Sequence, residues 1–273
     1  MKELTCEMCG SNNVIKQEGL FVCQICNTKY SVEEAKKIMF EGTVKIDHSD
    51  ELNNLYTLAR RARDNNKYGE MCEYYNQILL KDPNSWEANF YPVYYLLPSN
   101  LGLNAHSLQT KEAITHYMVN KANYLSNKIN RLIEILEMVL NFIKDYSPEK
   151  QQEAIQEIFE YTMSIFEKFS NNLDILHQRA NGVFSNKSDV PYYNCKRRII
   201  SFYNTFANIL ISNFDDTFSK YTTDIWKKLV FEYGKIIEIG NKIEIFNLIN
   251  VVANNIKQFE PDYEIPNMLL QNI

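Results

Sequence analysis

The chain has 273 residues, 45% of them apolar, with only eight glycines and seven prolines. That suits a helix-rich globular protein and argues against an all-β or loop-rich one, since turns draw on both residues. A formal charge of −5 gives no basic excess of the kind nucleic-acid binders carry. No window nears 18 consecutive apolar residues, and the start MKELTCEMCG lacks the apolar run of a secretory signal.

Four of the six cysteines form two CxxC pairs, Cys6 with Cys9 and Cys23 with Cys26, separated by the thirteen residues Gly10 to Val22. Two CxxC knuckles on adjacent hairpin ends place four thiolates at the corners of a tetrahedron, the arrangement a structural zinc ion accepts. Val14–Lys16 reads as a strand, Gln17–Gly19 as a turn and Leu20–Val22 as the returning strand. Tyr30 ends a short third strand beside Phe21. Gly10 and Asn27 follow the knuckles and tolerate the positive φ that a knuckle needs. The pattern therefore predicts a zinc ribbon over residues 1–30, with zinc held by Cys6, Cys9, Cys23 and Cys26. A rubredoxin-like iron uses the same ligands, and spacing does not separate the two metals. Four thiolates leave no open position for water or substrate, so catalysis at the metal is not expected. Residues 1–42 hold five lysines against six glutamates, and a four-thiolate zinc centre adds two further negative charges. Direct binding of nucleic-acid phosphates by this face is disfavoured.

Ser31 and Glu34 form a capping box opening a helix through Ala35, Ile38, Met39 and Phe40, ended by Gly42. Residues 43–48 are a linker or short strand, and Ser49 or Asp50 caps the next helix. Residues 49–97 read as a tetratricopeptide-like hairpin plus a following helix. Leu55, Leu58, Ala59 and Ala62 form the first buried stripe; Tyr68, Met71, Tyr75, Ile78 and Leu79 form the second, which Asp82-Pro83 stops. An ordinary αα-hairpin is the alternative. In the repeat reading, Asn53, Tyr56, Arg60 and Arg63 face a groove suited to an extended, acidic peptide; the competing reading is a solvated helix face. Asn84–Ala88 opens a third helix, which Pro92 kinks or ends early. Cys72 reads as a small buried hydrophobe.

Residues 98–273 form an α-helical domain, either an antiparallel bundle or a short solenoid. Pro98–Gly102 reads as a loop. Helices follow from Thr110 toward Asn127, then from Ile129 to Ile143, then from Pro148 past Ala180. After a break at Asn186–Pro191 come helices over 192–213, 218–239 and 242–258 and an irregular tail with Pro261 and Pro266. The segment has no phosphate loop, no nucleophile elbow and no HExxH. His106, His116 and His177 fall in unrelated contexts, and a Cys195–His177 pair has little to support it. The short run Lys196-Arg197-Arg198 is too small for a nucleic-acid site.

The run from Cys6 through Tyr91 resembles a group of bacterial proteins, common in Firmicutes, with a transcription factor IIB-type zinc ribbon followed by a tetratricopeptide-like helical region. The resemblance carries the ligand positions onto Cys6, Cys9, Cys23 and Cys26. It names an architecture and leaves the role open, because the ribbon fold serves many unrelated functions. The expectation is a cytoplasmic, non-enzymatic, zinc-containing scaffold that binds another protein or a peptide and does not enter a membrane. A transcription- or nucleic-acid-associated role through the ribbon is the alternative.

Overall fold

The computed structural model describes residues 4, 6, 8–17, 19–35, 49–102, 108–181 and 189–270. The expected helix end at Ile38–Gly42, the linker 43–48 and His106 lie outside the described residues. The chain divides into two compact units, Met1–Asn53 and Asn54–Ile273. The hairpin and the helices beyond residue 98 thus fall within one unit.

The first unit carries a three-stranded antiparallel sheet in the order β1 (Val14–Gln17), β2 (Leu20–Cys23), β3 (Lys29–Tyr30). Gln17 pairs with Leu20, so a two-residue turn joins β1 to β2, and Gly19 supplies its positive φ of 84°. Phe21 pairs with Tyr30, the expected neighbour. Leu4, Cys6, Cys23, Tyr30 and Ala35 form the buried core, with Val14 and Phe21 packed against it. The capping box forms in both directions. The Ser31 amide donates to Glu34 Oε2 at 2.8 Å, and the Glu34 amide donates to Ser31 Oγ at 3.1 Å.

The second unit is helical: α1 (Ser49–Asp64, which begins in the first unit), α2 (Tyr68–Lys81), α3 (Trp86–Tyr94), α4 (Leu97–Leu101), α5 (Lys111–Ile143), α6 (Pro148–Asn181), α7 (Asp189–Phe214), α8 (Ser219–Ile236), α9 (Lys242–Lys257) and α10 (Asn267–Leu270). A 3₁₀ turn, Asp215–Phe218, joins α7 to α8. The protein is mainly α, as expected. Among the described residues no helix is long and apolar enough to cross a membrane.

Four local readings are corrected. Residues 111–143 form one helix, not two, because the polar stretch at 128 contains neither Gly nor Pro to stop it. Pro98–Gly102 is not a loop: Pro98 opens a short helix, α4, and Gly102 at φ 67° closes it in the left-handed conformation. Leu58 is 39% exposed, since the buried stripe of α1 runs through Leu55, Ala59 and Ala62 and leaves Leu58 at its rim. Cys72 is half-buried rather than a core residue. Pro92 lies inside α3, which ends two residues past it at Tyr94 after only nine residues.

Aromatic rings fill the interior. Phe90 stacks on Tyr94 at 4.3 Å, and Phe90 and Tyr91 both meet Tyr161 of α6 edge-on. Phe166 of α6 stacks on Phe202 of α7 at 4.1 Å. Burying each such ring contributes about 1.5–3 kcal/mol. At the carboxy-terminal end, Leu269 of α10 seats against Gly234 of α8, where a Cβ would lie 2.3 Å from Leu269 Cδ2. Gly234→Ala should therefore push Leu269 out of its seat and cost roughly 1–3 kcal/mol, read by urea denaturation.

Candidate metal centre

The two knuckles are built alike. The Gly10 amide donates to Cys6 O at 2.8 Å, and the Asn27 amide donates to Cys23 O at 2.9 Å. Gly10 (φ 72°) and Asn27 (φ 59°) both take the left-handed conformation that this turn requires. The Cys23 amide donates to Thr28 O, and the Gln24 amide reaches back to Asn13 O, so the second knuckle is pinned to the strand entry.

These turns bring Cys6, Cys9, Cys23 and Cys26 together, with all four sulfurs within 4.8 Å of one another. Cys6 Sγ lies 3.5 Å from Cys26 Sγ, and Cys9 Sγ lies 3.5 Å from Cys23 Sγ. A tetrahedral ion with metal–sulfur bonds of about 2.3 Å requires sulfur separations of about 3.8 Å. All four thiols are free of disulfides. Donor number, donor softness and spacing fit a tetrahedral metal ion, and among the described residues this is the cluster that does.

The electrostatics ask for a cation. Tyr30 Oη, 3.1 Å from Cys6 Sγ, donates to the sulfur and pulls the Cys6 pKa down to about 6. Thr28 Oγ1, 3.1 Å from Cys26 Sγ, holds the Cys26 thiol below its ordinary value. The Ser11 amide pulls Cys9 down as well, yet the neighbouring Cys26 and Cys23 sulfurs push it up to about 12. Four thiolates this close repel one another unless a dication sits among them. Cys6 and Cys23 are buried while Cys9 and Cys26 face solvent, so a bound ion would be sealed on its inner side only.

The α1 residues are placed differently from one another. Asn53 is exposed and is the last residue of the first unit. Tyr56 Oη donates to Ser85 Oγ at 2.6 Å, next to the Asp82 carboxylate. Arg60 grips Glu87 with two nitrogens, Nε to Oε2 at 2.9 Å and Nη2 to Oε1. Arg63 Nη1 meets Glu157 Oε1 at 3.0 Å while its guanidinium lies 4.3 Å over the Tyr91 ring. Tyr56, Arg60 and Arg63 thus tie α1 to α3 and α6.

Reasoning on spacing missed a buried ionic ring. Lys196, read with Arg197 and Arg198 as a basic run, is fully buried. Its Nζ contacts Asp174 Oδ1 at 2.5 Å, Glu232 Oε2 at 2.9 Å and Ser170 Oγ. Lys235 Nζ contacts the other oxygens of the same carboxylates, Asp174 Oδ2 at 2.7 Å and Glu232 Oε1 at 3.1 Å. Two ammoniums and two carboxylates alternate around a ring joining α6, α7 and α8. The signal was Lys196 on the apolar face of α7 that carries Tyr192, Ile199 and Tyr203. Cys195 and His177 do not form a nucleophile pair. His177 Nε2 binds Asp189 at 2.8 Å, and burial pushes the Cys195 thiol up to about 12.

Comparison with family models, curated proteins and solved structures finds no match for the chain.

Proposed function

We propose that the protein is a non-catalytic adaptor, a helical scaffold that binds another protein or a peptide, with a zinc-loaded ribbon as its docking module. Zinc is favoured over iron because a closed four-thiolate tetrahedron needs no redox role and zinc has no competing geometric preference. The reading fits bacterial ribbon-plus-repeat proteins acting in a reducing cytoplasm, where thiols stay available for metal.

One observation carries the docking role. Each CxxC knuckle presents its third residue to solvent, Met8 with 75% and Ile25 with 67% of its surface exposed. Large apolar side chains on the tips of a metal cage add nothing to its folding, and such exposure is a mark of contact surfaces. The acidic balance of residues 1–42 favours a partner whose apolar patch is rimmed by Lys or Arg. Tyr56, Arg60 and Arg63 are engaged within their own unit, so the reading rests on the ribbon and not on an α1 groove.

Met8→Glu/Ile25→Glu is expected to keep one zinc per chain by elemental analysis and to lose the protein crosslinked to the wild type in the native host. Retention of that partner by the double variant would rule out docking through the knuckles. Iron in place of zinc would overturn the metal assignment.

A further inference from the structure

The four clustered cysteines are not equally placed. Cys6 and Cys23, the first of each knuckle, are fully buried, while Cys9 and Cys26, the second of each, are exposed. A structural cluster enclosed on every side is inert, because no reagent reaches its sulfurs. Here two of the four donors meet solvent, and each lies against a buried one from the other knuckle. Cys9 Sγ is 3.5 Å from Cys23 Sγ, and Cys26 Sγ is 3.5 Å from Cys6 Sγ. A disulfide bond is about 2.05 Å long, so each cross-knuckle pair has only about 1.5 Å to close.

The two exposed sulfurs differ. Thr28 Oγ1 donates to Cys26 at 3.1 Å, as Tyr30 Oη does to the buried Cys6. Among the described residues no hydroxyl donates to Cys9. A donated hydrogen bond ties up lone-pair density on sulfur, so of the two sulfurs that solvent reaches, Cys9 is the freer nucleophile.

We propose that the cluster is a peroxide-responsive site in which Cys9 is oxidised first and Cys23 resolves it. The Cys9 thiolate attacks one oxygen of hydrogen peroxide and the O–O bond breaks. The sulfur becomes a sulfenic acid, and the other oxygen leaves as hydroxide. The Cys23 thiolate then attacks the Cys9 sulfur, closing the disulfide and expelling a second hydroxide. One peroxide thus takes two electrons from the pair, and two protons from solvent complete two waters. A second peroxide does the same through Cys26 and Cys6. Disulfide sulfurs no longer serve as thiolate donors, so the site releases its zinc. The ribbon passes from a metal-held to a disulfide-held form, and thiol reductants reverse the change. The inference rests on zinc as the bound ion and not on the docking role.

Oxidation of the full, zinc-loaded chain tests it. Elemental analysis beforehand gives the zinc content, and a chain without zinc overturns the metal assignment itself. One hydrogen peroxide per chain should release the zinc to a chromogenic chelator and form Cys9–Cys23, leaving Cys6 and Cys26 open to iodoacetamide. Excess peroxide should add Cys6–Cys26, and dithiothreitol with zinc should restore the loaded form. Trypsin cuts the denatured chain after Lys16 and Lys29. A cross-knuckle disulfide therefore joins the peptide carrying Cys6 and Cys9 to the one carrying Cys23 and Cys26, and fragmentation assigns the pair. A disulfide within a knuckle leaves the two peptides separate. Cys195, buried and apart from the cluster, should stay reduced throughout. Zinc retained under a large excess of peroxide overturns the proposal, as do separate tryptic peptides after zinc release. Cys6–Cys26 forming ahead of Cys9–Cys23 overturns the role given to Cys9.

Discussion

Removing the metal is expected to unfold residues 4–35 and leave the helical unit intact. Among the described residues, the ribbon buries six apolar side chains, and two of them, Cys6 and Cys23, belong to the four-cysteine cluster. Leu4, Val22, Tyr30 and Ala35 are what remains, far too little apolar surface to offset the ordering of some thirty residues at about 1–2 kcal/mol each. Metal binding in small zinc peptides contributes about 10–16 kcal/mol, enough to reverse that balance. Without the ion, the cluster cannot hold four anions: the push on Cys9 toward about 12 shows the sulfurs competing for protons. Cys23→Ser should act like a chelator, because a hydroxyl neither ionises near neutral pH nor offers a soft donor. Trypsin provides the readout. Lys16 and Lys29 lie on strands and should resist cleavage in the metal-bound protein, then be cut rapidly after chelation. The helical unit should stay uncut and keep nearly all of the far-ultraviolet helix signal. Loss of helix signal together with the metal would show that the two units are not separable, and an unchanged tryptic pattern would show that the metal does not hold the ribbon.

The ribbon was legible because its information is local. Ligand spacing, Gly10 and Asn27 at the knuckle turns, and the Ser31–Glu34 box each act within a few residues, and each appears where the pattern put it. The helical unit was legible as helix and less so in its joints. The end of α4 depended on how Pro98 and Gly102 divide their roles, and both residues serve loops as readily as helix ends. The continuity of α5 through residue 128 depended on a breaker being absent, which polar composition alone mimics. Long-range pairing was not legible. Lys196 finds Asp174 and Glu232 22 residues before it and 36 after, and nothing in the run Lys196-Arg197-Arg198 marks the first member as the buried one except its place on the apolar face of α7. For the same reason Arg60 and Arg63 read as groove residues, although Glu87 and Glu157 claim them.

Lys196→Met is expected to destabilise the helical unit by about 3–5 kcal/mol, a fall in Tm of roughly 6–20 °C for a unit of this size. The loss comes less from the missing attraction than from what stays behind. Glu232 is 5% exposed and Ser170 fully buried, so water cannot replace the ammonium that satisfied them. Lys235 would be left alone between two carboxylates. Lys235→Met should cost much less, about 1 kcal/mol, because that side chain is 32% exposed and Lys196 still bridges both carboxylates. Burial alone would lower the Lys235 pKa, but Glu232 and Asp174 hold it above its ordinary value. Its contribution is therefore complete below the unfolded value of about 10.4 and lost only as pH rises through the higher folded value, so neutral and mildly alkaline stability should not depend on it. The decisive comparison is Lys196→Met/Glu232→Leu. Apolar replacement of both partners removes the stranded charge along with the pair, so the double variant should be more stable than Lys196→Met alone, a positive coupling of about 1–3 kcal/mol in a double-mutant cycle. Thermal melts of the four proteins at one salt concentration give the cycle directly. A Lys196→Met protein within about 1 kcal/mol of the wild type would mean that the ring is solvated in solution and does not clamp α6, α7 and α8 together.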